Sequence, residues 1–154
     1  MRKIAVFVFV LIVLLLAVSC KQEIDCKLNI PSWAHGKWDV TGTFTVTGEG
    51  SLTIQGTYYV TSDNLYGTVT YVEAGSTSVF DLKSDLDGHK DYIVDFSQSS
   101  SSSEYTLSYT AKVDGDKAKQ TLRFVKDGSN ISYSEFLYIN GLTYARIQGT
   151  LSPL

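Results

Sequence analysis

The feature that most limits what this chain can become is an apolar side chain at every second position, repeated in run after run. Gly36–Thr47 sets the pattern: Trp38, Val40, Gly42, Phe44 and Val46 fall on one side, with Asp39 and four threonines on the other. Period two over this length describes a half-buried strand, because successive side chains of an extended backbone point to opposite faces. Leu52, Ile54, Gly56, Tyr58 and Val60 continue it after the Gly48-Glu49-Gly50 turn. Further strands are expected near Leu65–Glu73, Ser76–Leu82 and Asp91–Ser97, the last with Tyr92, Val94 and Phe96 on one face. Lys83–Lys90 reads as a polar loop and Ser99–Ser103 as a flexible serine loop. Glu104–Lys112 aligns Tyr105, Leu107, Tyr109 and Ala111 on one side.

The last third is punctuated by Asp114-Gly115, Asp127-Gly128 and Asn140-Gly141. Tight hairpins need positive φ, which Asn, Asp and Gly tolerate, so these pairs predict three consecutive hairpins. The strands they separate are Lys117–Lys126, Asn130–Ile139 and Leu142–Leu151. Register within Ile131–Ile139 stays open, since Glu135 shares a face with Tyr133 and Leu137. The fold expected is all-β: an antiparallel up-and-down meander of eight or nine strands, with no helix in the domain. Closing into a barrel removes its edges; a two-sheet sandwich satisfies the same alternation.

Ahead of the strands lies a leader of different character. Arg2 and Lys3 precede an unbroken apolar run, Ile4–Val18, which ends at Ser19-Cys20. The run is shorter than the ~20 residues a helix needs to cross a bilayer, and its three-part plan is that of a secretory signal. Leu16-Ala17-Val18-Ser19-Cys20 resembles a bacterial lipobox, relaxed in having Ala17 and Val18 where the pattern places Leu and a small residue. The resemblance implies cleavage before Cys20, a diacylglyceryl thioether on its Sγ, and attachment to a membrane of the bacterial cell envelope. Two or three acyl chains, at ~0.8 kcal/mol per buried methylene, hold durably where one does not. Lys21 rather than Asp after the cysteine favours the outer membrane or cell surface. The chain thus divides into residues 1–19 as a cleaved signal, 20–30 as a lipidated tether and 31–154 as the β domain.

A second resemblance is carried by Gly36-Lys37-Trp38 after a short turn at Pro31–His35. Gly-x-Trp opening the first strand of a meander is similar to the lipocalin-like (calycin) barrels. That likeness implies a Trp38 that closes the barrel floor and a basic residue of the last strand, here Arg146, stacked across it. Such a contact stabilises by ~0.5–2 kcal/mol. Gly36, Trp38 and Arg146 would then be structural residues.

Chemistry is sparse. A net formal charge of −3, which falls by two more when Arg2 and Lys3 leave, excludes a basic nucleic-acid surface. With Cys20 lipidated, Cys26 is left alone, so neither a disulfide framework nor a zinc site is expected. Asp85, Asp87 and Gly88 suggest part of a calcium loop. Lys83 and Val94 occupy two of its ligand positions, so no metal is expected there. His35 suits packing at a barrel end. No nucleophile elbow or convergent carboxylate pair is present, so neither an enzyme nor a cofactor is expected. Of the ten tyrosines, Tyr58, Tyr92, Tyr105 and Tyr109 fall on mainly apolar faces, where they could line a cavity for a small apolar or amphipathic ligand. A filled barrel that meets a protein or glycan through its outer face is the alternative.

Overall fold

The computed structural model describes residues 24–154. The leader, the cleavage position and Cys20 lie outside the described residues. Nine strands follow a 3-10 turn at Ser32–Ala34: β1 (Gly36–Val46), β2 (Gly50–Val60), β3 (Leu65–Tyr71), β4 (Ser76–Asp81), β5 (Ile93–Ser100), β6 (Glu104–Val113), β7 (Asp116–Asp127), β8 (Asn130–Ile139) and β9 (Leu142–Pro153). One helix, α1 (Leu82–His89), separates β4 from β5.

All nine strands form a single sheet in the order β4-β3-β2-β1-β9-β8-β7-β6-β5, with every neighbour antiparallel. The two-sheet alternative is therefore overturned. The first and last strands pair along nine positions from Trp38↔Pro153 to Val46↔Ala145, so β1 and β9 sit mid-sheet. The edges are β4 and β5, which are consecutive in sequence but do not pair.

The expected hydrogen-bonded barrel is not reached, since β4 and β5 do not pair, and parity explains how these two edges are joined. Across nine strands, eight antiparallel steps leave the two edges running in the same direction. Parallel strands cannot be joined by a hairpin and need a crossover. The segment read as a polar loop supplies it as α1. Asp81 caps the helix by accepting from Ser84 N at 3.0 Å, and Leu82 and Leu86, one turn apart, enter the core. Asn64 ties the helix start to the β2–β3 loop: its Nδ2 donates to Asp81 and its Oδ1 accepts from Lys83 N, both at 3.0 Å.

The sheet is strongly curled. Tyr58 on β2 and Tyr133 on β8 are three strand spacings apart, about 14 Å along a flat sheet, yet their rings meet edge-on at 5.5 Å. Glycine assists the packing within it. Gly67 lies in register between Tyr58 and Phe80, whose rings touch at 4.7 Å over the missing side chain. A Cβ there would stand 2.0 Å from the Thr57 carbonyl oxygen.

Three further expectations are corrected. The segment expected as a tether, residues 20–30, ends earlier than residue 30, because Leu28 and Ile30 are 4% and 2% exposed and belong to the core. Ile30 N donates to Ser62 O at 2.8 Å, and Gln98 holds the segment with both ends of its amide, donating to Lys27 O at 2.8 Å and accepting from Asn29 N at 2.9 Å. Ser99 and Ser100 belong to β5 rather than to a loop. A bulge between Ile93 and Asp95 shifts that strand, so Ile93 is buried and Val94 is 52% exposed.

Trp38 is buried and donates its indole N–H to Ala34 O at 3.0 Å, with Gly36 beside the ring. Arg146 does not stack on it. The inward positions of β9 are Ala145, Ile147, Gly149 and Leu151, which leaves Arg146 exposed on the other face, in register with Thr45 and Phe136. Pro153 is the β9 residue opposite Trp38. His35 Nε2 lies 2.9 Å from Ile30 O and pins the entry turn.

Candidate functional site

The concave face is sealed at one end and reachable by water at the other. At the end where the chain enters, Trp38, Val60, Leu65, Tyr105, Phe124 and Leu151 are all buried. The covering layer is Leu28, Ile30 and the Ser32–Ala34 turn, with Trp33 Nε1 donating to Ser101 O at 2.9 Å. Towards the opposite end, ringed by the β1–β2, β3–β4, β6–β7 and β8–β9 turns, inward residues keep partial exposure. These are Phe44, Tyr71, Tyr109, Gln120, Glu135 and Ile147. Phe44 and Tyr71 meet edge-on at 5.5 Å.

Glu135 is the outstanding group on this half of the face. It lies on β8 between Leu122 of β7 and Ile147 of β9, with the same inward parity as Ile131 and Tyr133. Its two carboxylate oxygens accept separate hydrogen bonds, Oε1 from Gln120 Nε2 and Oε2 from the Tyr133 hydroxyl. Gln120 Oε1 accepts in turn from the Tyr109 hydroxyl at 2.5 Å. The Tyr58 ring meets the Tyr133 ring edge-on at 5.5 Å beside this chain of polar groups. A carboxylate has about four acceptor sites, and these contacts fill two.

Burial pushes the Glu135 carboxyl above its ordinary range; the bonds from Tyr133 and Gln120 oppose this, and the negative charge of Asp85 on α1 reinforces it. No lysine or arginine is among these groups. The cations of the flanking strands, Lys112, Lys119, Arg123 and Arg146, are exposed on the convex face. The phenols respond to the same centre. Tyr71 and Tyr109 are raised first by burial and then by the Glu135 charge, and Tyr58 and Tyr133 likewise.

Of the four tyrosines singled out in the sequence, the structure gathers Tyr58 and Tyr109 around Glu135. Tyr105 lies at the sealed end, where its hydroxyl donates to Gln98 at 3.1 Å and burial pushes its pKa up to about 12. Tyr92 precedes the β5 bulge and is not part of the cluster; its carbonyl accepts from Lys112 N at 2.9 Å. Glu135, Tyr133, Gln120 and Tyr71 were missed as site residues. The available signal was a carboxylate in phase with Ile131, Tyr133 and Leu137 on one strand face.

Elsewhere, an open crevice of about 680 Å³ is lined by residues 25 and 27–29 and by Phe96–Gln98, and it shares no side chain with the cluster around Glu135. Cys26 is partly buried beside it. Its thiol is pushed up by burial and by Asp25 and Asp87, which disfavours the reactive thiolate. Among the described residues, no group of three or more His, Cys, Asp or Glu is placed to hold a metal ion. No protein family, curated protein or solved structure matches the chain.

Proposed function

We propose that the chain is a lipoprotein of the bacterial cell envelope, anchored through Cys20, whose lipocalin-like rolled sheet binds a small amphipathic molecule at its water-reachable end. The observation that carries the reading is Glu135, a carboxylate held by two neutral donors inside an aromatic interior, on a partly exposed residue and, among the described residues, with no lysine or arginine hydrogen-bonded to it. Burying such a group costs stability that an apolar side chain would not cost. Carboxylates kept at that expense cluster where ligands are recognised. The edge-on Phe44–Tyr71 pair offers apolar contact next to it. The membrane is the second partner, reached through the lipid; no enzymatic step is assigned.

Native mass spectrometry of the protein extracted from its host membranes tests this. A discrete bound mass, released on denaturation, is expected, and a wild-type protein with no added mass would count against it. The anchoring is tested by Cys20→Ser, which should move the protein from the membrane fraction to the soluble one.

One observation favours a second reading, a surface interaction module. Tyr59 and Tyr66 stack at 5.2 Å on the convex face with Lys37 Nζ 5.6 Å from the Tyr59 ring, while Tyr58, Tyr105 and Phe124 fill the middle and sealed end of the interior. Replacing Tyr59 and Tyr66 together by Ala separates the two, since it removes an outer platform and leaves the Glu135 end untouched.

A further inference from the structure

We infer that the molecule bound at the Glu135 end carries a positive charge, an ammonium or amidinium group attached to an apolar body. This inference rests on the binding reading above and specifies its ligand class.

Three features of the site act in the same direction. Glu135 presents a carboxylate whose bound donors, a phenol and an amide, are both neutral, so among the described residues no lysine or arginine is hydrogen-bonded to it. A second carboxylate, Asp85 on α1, is near enough for the two charges to disfavour each other. A cation between or above them would relieve that repulsion, while an anion would add to it. The rings of Phe44, Tyr71 and Tyr109 lie on the same half of the face, and a cation lodged over the face of one of them would be attracted by its quadrupole where a carboxylate would be repelled. Every lysine and arginine of the flanking strands β6–β9 near this level lies on the convex face, so none competes for the position.

The geometry also separates charge recognition from apolar contact. Glu135 lies on the partly exposed half of the face, whereas beyond Tyr58 and Tyr133 the interior is filled by their rings and Phe124. A ligand therefore approaches with its cationic group leading towards Glu135 and its apolar body against Phe44, Tyr71 and Ile147. A long chain passing through the whole interior is not accommodated.

The test compares three near-isosteric probes on the full chain in detergent by saturation-transfer NMR titration: 2-phenylethylamine, 2-phenylethanol and 3-phenylpropanoate. At pH 7.5 the amine should bind at least tenfold more tightly than the alcohol, and the carboxylate most weakly. Glu135→Gln should abolish the preference for amine, bringing the ratio of amine to alcohol affinity to within about twofold of one. Equal affinity for amine and alcohol in the wild type would overturn the cationic assignment and leave the binding reading standing. A retained preference in Glu135→Gln would overturn the role of Glu135. Failure of all three probes to bind would overturn the binding reading itself. The wild-type comparison decides alone should Glu135→Gln not fold.

Discussion

Tyr133 donates its hydroxyl hydrogen to Glu135, two residues further along the same face of β8. The pair places a polar group where the strand pattern calls for an apolar one, and it does so beside the ring contacts that join β8 to β2 and β7. In a sheet this curled, the inner face is the core, so a carboxylate on it is a cost that binding can offset.

That cost has a pH signature. Burial raises the Glu135 pKa in the folded state, so the folded protein holds a proton at pH values where the unfolded chain releases it. The contribution to stability is fullest below the ordinary carboxylate range, falls as pH rises through it, and levels off above the raised value. Glu135→Gln removes this slope. The gain in Tm over wild type should be larger at pH 8 than at pH 4, measured by circular dichroism; parallel curves would contradict it.

Gly67 should not tolerate a methyl group. Gly67→Ala puts a Cβ 2.0 Å from Thr57 O and between the Tyr58 and Phe80 rings. Overpacking of this kind costs about 1–3 kcal/mol, to be read as a lowered urea midpoint. An unchanged midpoint would show that β2 and β3 can separate there freely.

The seam should depend on α1. Leu86 is 2% exposed, and Leu86→Ala should cost about 2–5 kcal/mol. Because α1 lies in the chain between two unpaired edges, amide exchange should rise most in Ser76–Asp81 and Ile93–Ser100. A uniform rise across the sheet would mean that the helix is not a local closure.

The cap of that helix has a smaller effect. Asp81→Ala removes the acceptor for Ser84 N and for Asn64 Nδ2. Loss of an N-cap costs about 1 kcal/mol, measurable by chemical denaturation. A value near zero would assign the helix start to Leu82 packing alone.

Much of the sheet could be read from the chain because alternation and turn chemistry are local. Asp114 and Asn140 adopt positive φ of 49° and 51°, each followed by glycine, as a two-residue hairpin requires. What was not legible depends on long-range counting. Helix α1 exposes only Leu82 and Leu86 as a signal, too few for a period, and the need for it arises from the parity of nine strands. The β5 bulge reverses the faces of Ile93 and Val94 through a shift of one residue. Arg146 followed from a likeness at Trp38, but register alone decides which face of β9 it takes. Glu135 was visible as an anomaly in its strand; its meaning came only when Gln120 and Tyr133 were found on either side.

The account is tested most directly by the crystal structure of the protein purified from its own host. It predicts density for a small molecule against Phe44 and Tyr71, with a cationic group within hydrogen-bonding distance of a Glu135 oxygen. Side chains of the protein itself closing over Glu135, with no molecule between them, would contradict it.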